Sequence, residues 1–93
     1  MSKICWFLGI RIEMGIDDHP VPHFHAIYED LEPNPEAAYA IETLEVIEGA
    51  LPKLAHGFVL EWMDDHRKEL LEDWQRVKQG LPLPEIEALE GTF

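Results

Sequence analysis

Three histidines stand close together in "DDHPVPHFHAIYED", residues 17–30: His19, His23 and His25. His23 and His25 are two apart, so on a strand their rings project from one face, with Cα atoms about 6.6 Å apart. Two imidazoles at that spacing can share a metal ion, and His19 joins them if the turn bounded by Pro20 and Pro22 folds back. Asp17 and Asp18 add carboxylate ligands or partners for an imidazole N–H. Such a set suits zinc, nickel, copper or iron. The expected metal ligands are His19, His23 and His25, with Asp18 and Arg11 beside them in the candidate site. The same histidines admit two other readings. They could be acid–base groups with Arg11 as the electrophilic helper, or structural side chains lining a turn or a partly covered sheet face. H-x-H is short, and no H-E-x-x-H motif accompanies it.

These residues need a scaffold, and hydrophobic periodicity supplies one. Trp6, Leu8, Ile10, Ile12 and Met14 alternate with Arg11 and Glu13, which predicts one strand over about residues 5–14 with a single buried face. "GIDDHPVP" is turn chemistry and excludes a helix. Alternation resumes at about 22–29, with Phe24, Ala26 and Tyr28 inward and His23, His25 and Ile27 on the other face. After the polar "DLEPNPE" loop, short strands follow at about 37–42 and 44–48, with Tyr39, Ile41, Leu44 and Val46 as the inward set.

Beyond Gly49 the period changes to that of a helix. Phe58, Trp62, His66, Leu70 and Trp74 recur every four residues, so a helix is expected over about 52–79, ended by Gly80, Pro82 and Pro84. An extended tail would occupy 80–93. At 1.5 Å per residue that helix would be about 42 Å long, against about 27 Å for an eight-residue strand. It must break near the polar "DDHRKE" run, or its far end must pack on a partner. In the second case Trp74, with Trp62 and His66, becomes an interface anchor, and a homodimer is one form that partnership could take. Strands followed by helix give an α+β class: a two-layer sandwich of a small antiparallel sheet, three or four strands, against one long or kinked C-terminal helix.

Ninety-three residues make a single domain, 1–93. The apolar fraction of 46% supports a folded core, and no apolar run approaches the roughly 20 residues that cross a bilayer. A single cysteine, Cys5, permits no intrachain disulfide, and the N-terminal stretch reads as a strand rather than a signal peptide. A cytoplasmic protein is therefore expected. Nineteen acidic against seven basic residues give a net charge of −12. That charge repels nucleic acid and anionic membranes, whose binding depends on Lys and Arg. It suits solubility or a basic protein partner.

The blocks "DDHPVPHFHAIYED", "AIETLEVIEG" with "LP" after it, and "LEWMDDHRKELLEDWQ" resemble a bacterial family, the domain of unknown function DUF4160, over roughly residues 6–84. His19, Pro22, His23, Phe24, His25, Gly49, Pro52, Trp62 and Trp74 carry the likeness. The resemblance implies a toxin–antitoxin-like pair with a small protein encoded nearby, and brings no activity. The leading expectation is thus an interaction protein of a two-component pair. The alternatives are a metal-binding protein using His19, His23 and His25, and a weak nuclease or toxin with histidine acid–base residues.

Overall fold

The computed structural model describes residues 2–16 and 19–89. Five strands follow one another as an antiparallel meander: β1 (Ser2–Phe7), β2 (Ile10–Met14), β3 (His23–Tyr28), β4 (Glu36–Ala40) and β5 (Val46–Gly49). Two helices complete the chain, α1 (Lys53–Asp65) and α2 (Arg67–Lys78). The α+β class stands. The sheet has five strands rather than three or four, and the single helix is two.

The additional strand comes from a turn that alternation concealed. Leu8 and Gly9 have φ of 50° and 78°, the signature of a two-residue hairpin whose twist matches the strands it joins. Phe7 and Ile10 therefore face each other across the hairpin and share the core, which inverts the parity on one side of the turn. Trp6 pairs with Arg11 on the outer face and is 52% exposed, not inward with Ile10 and Ile12 as expected. Val46 also departs from the expected inward set: it pairs with Tyr39 but lies on the edge strand and is 38% exposed.

The helix breaks at His66, inside the polar run. This residue leaves helical geometry at φ −116° and ψ 18° while its N–H still bonds the Trp62 carbonyl at 3.1 Å. A straight rod of about 42 Å would exceed the molecule's longest extent of 36 Å. The break folds both halves onto the sheet. Trp62 on α1 is fully buried against Phe7 and Phe24, with ring centroids 5.4 and 5.7 Å away. Beyond α2 the chain returns along β1: the Ile86 N–H donates to the Ile4 carbonyl, and the Trp62 indole N–H to the Glu87 carbonyl. Among the described residues, no helix is long and apolar enough to cross a membrane.

Candidate functional site

β3 presents Phe24 and Ala26 to the core and His23, His25 and Ile27 to the other face. That second face is covered, not solvated: His23 is fully buried, and His25 and Ile27 are nearly so. Two elements contribute to the cover. The turn before β3 brings His19 over the strand, and the helix break lets α2 lay Trp74 against His23 at a centroid distance of 5.1 Å. The three imidazoles do come together. His19 and His23 have centroids 5.1 Å apart, His23 and His25 5.4 Å, and His19 and His25 6.5 Å.

Each ring is held by an acceptor through one nitrogen. His23 Nδ1 lies 2.8 Å from the Val21 carbonyl, which only accepts, so Nδ1 carries a proton and donates. His25 Nδ1 donates to the Glu36 carboxylate at 3.1 Å. His19 Nε2 is bonded to Glu48. Neither Glu36 nor Glu48 stood out in the sequence. Strand register brings them here: Glu13, His25, Ala38 and Glu48 lie in line across four strands, and Glu36 pairs with Ile27, two residues along β3 from His25 on the same face. Ala38 leaves room between His25 and Glu48. A cavity of about 220 Å³ lies there, lined by those three residues with Glu36, Ala37 and Gly49.

The other expected members fall elsewhere. Arg11 pairs with Ile27, and it is Glu13 that stands opposite His25. The Arg11 guanidinium is engaged by Glu29 at 2.7 Å and Glu13 at 3.4 Å, so its charge is neutralised on the outer face rather than offered to a substrate. Asp18 lies outside the described residues. Trp62 and Trp74 are core side chains, because the break at His66 removes the overhang that would have exposed them. His66 spends its Nδ1 on Glu69 at 2.8 Å and its ring against Trp62. Burial pushes the Cys5 thiol up to about 11, so it stays protonated and inert as a nucleophile.

Imidazoles bound to one tetrahedral ion at 2.0–2.1 Å would have ring centroids roughly 5 Å apart. Two of the three separations match, and the His19–His25 separation is wide. Among the described residues, no set of three or more His, Cys, Asp or Glu side chains is already arranged to hold a metal ion.

The family model for the domain of unknown function DUF4160 matches residues 9–75. The match spans well over half the chain, and the chain belongs to this family. Neither a curated protein nor a solved structure matches it.

Proposed function

We propose that this member of the DUF4160 family is a metal-binding protein whose ligands are His19, His23 and His25. One observation carries the reading: the three imidazoles converge, with ring centroids 5.1, 5.4 and 6.5 Å apart, and each ring is oriented by a carboxylate or carbonyl at one nitrogen. Outer partners of this kind fix the tautomer and aim of metal-bound imidazoles. His23 and His25 are set by their strand. His19 sits on a turn, so it is the ring that moves least expensively to close the set. Zinc, nickel, copper and ferrous iron all accept imidazole ligands.

The test uses protein purified without a histidine tag. Elemental analysis is expected to find one equivalent of a transition metal, retained or restored on adding zinc, nickel, copper or ferrous iron. At free metal a hundredfold above Kd the folded state gains about 2.7 kcal/mol, which raises Tm by roughly 10–20 °C for a chain of this size. The His23→Ala/His25→Ala variant should lose both effects. Parent protein that takes up no metal and shows no thermal shift overturns the proposal.

The second reading is an interaction protein of a toxin–antitoxin-like pair. It has lost the overhanging helix as support and keeps the net charge of −12, together with the sheet edge at β5. The nuclease alternative finds little support, since Arg11 is already paired with two carboxylates.

A further inference from the structure

β5 closes one side of the sheet, and its outer side pairs with no strand among the described residues. All four of its residues are exposed, including Val46 and Ile47. The opposite edge differs, because the returning chain bonds β1 at Ile4. Open edges template further strands, and proteins guard them with Lys, Pro or a bulge. β5 carries neither Lys nor Pro. Its irregular pairing opposite Ala38 and Tyr39 shortens the regular edge, so an added strand would make few backbone bonds there and would need side-chain contacts as well.

Those contacts are acidic. Glu36 and Glu48, with side chains 55% and 66% exposed, flank the 220 Å³ cavity beside β5. Glu45 precedes the strand, and the whole chain carries −12. Antiparallel pairing of β5 with a second copy of this chain would set Glu45 of each opposite Glu48 of the other, which like-charge repulsion opposes. We propose that β5 receives an extended, basic segment of a partner protein as a sixth strand, with a Lys or Arg side chain entering the cavity between Glu36 and Glu48. Backbone pairing supplies the alignment and the cavity supplies the selectivity. This surface adjoins the histidine site and shares Glu36 and Glu48 with it, but its test reads peptide binding with no metal added.

The probe is a nine-residue peptide alternating Lys and Val, titrated into the intact protein while backbone amide resonances are followed. Its control is the same peptide N-methylated at alternate residues, which keeps the charge and cannot extend a sheet. The plain peptide is expected to bind at least tenfold more tightly and to shift amides of residues 45–50. Ile47→Lys, a change at an exposed position that leaves the core untouched, should reduce its affinity at least tenfold. Equal affinity for the two peptides would mean charge alone is recognised, and the proposal fails. It fails equally if the shifts map to another surface, or if the protein dimerises through β5 at working concentration.

Discussion

Leaving a buried imidazole N–H without an acceptor costs about 1–3 kcal/mol, and the Val21 carbonyl two residues back spares His23 Nδ1 that cost. Asp73 is less well provided for. It is 1% exposed, its Oδ1 accepts from Arg76 at 2.7 Å, and its Oδ2 has no hydrogen-bond partner among the described residues. Desolvation raises its pKa above the ordinary 3.8, and Arg76 offsets only part of the rise. A carboxyl whose folded pKa is raised contributes its full stability below the unfolded value and loses it as pH climbs to the folded value. Asp73→Asn removes that loss. Its stability relative to the parent should therefore improve as pH rises from about 4, measured by urea unfolding of both proteins across the acid range. A difference that stays constant with pH would contradict the assignment. At this scale the sequence showed the two strand histidines and their common face, because strand parity is local. Glu36 and Glu48 stayed hidden, because their place depends on the register of β4 and β5, which no single strand's pattern encodes.

β4 and β5 approach closely where β5 ends. Gly49 has φ of 73°, and a Cβ there would run into the Glu36 carbonyl, which is backbone and cannot step aside. Gly49→Ala should destabilise the fold by about 1–3 kcal/mol or more, since it combines an unfavourable backbone region with a clash. The lowered Tm would be accompanied by faster hydrogen exchange in β4 and β5. An unchanged Tm would mean that the strand pair tolerates a shift the structure does not suggest. The helix break was legible as a length mismatch, with the polar run marking its position. The first hairpin was not. Leu-Gly is a poor turn signal beside Asn-Gly, and Leu8 continues the alternation without interruption. Two strands joined by so short a turn look like one.

For the whole molecule, charge and size interact. Extents of 36, 27 and 22 Å compare with a Debye length of about 30 Å at 0.01 M salt and 8 Å at 0.15 M. At low salt the net charge of −12 is felt from one face to the other. Raising sodium chloride from 0.01 to 0.5 M should increase Tm by several degrees as self-repulsion is screened, a shift that scanning calorimetry reads directly. A flat or falling Tm would show that local pairs such as Arg11–Glu29 outweigh the global charge. The α+β class was readable at this scale because the change of period after Gly49 separates the sheet from the helices. The covered histidine face was not, since its wall comes from residues far along the chain. Trp74 follows His25 by 49 positions. At roughly 5–20 residues per second of synthesis, the ribosome makes the three histidines about 2–10 s before the tryptophan that closes over them. Nascent chains thus hold these imidazoles open to water first and enclose His23 last.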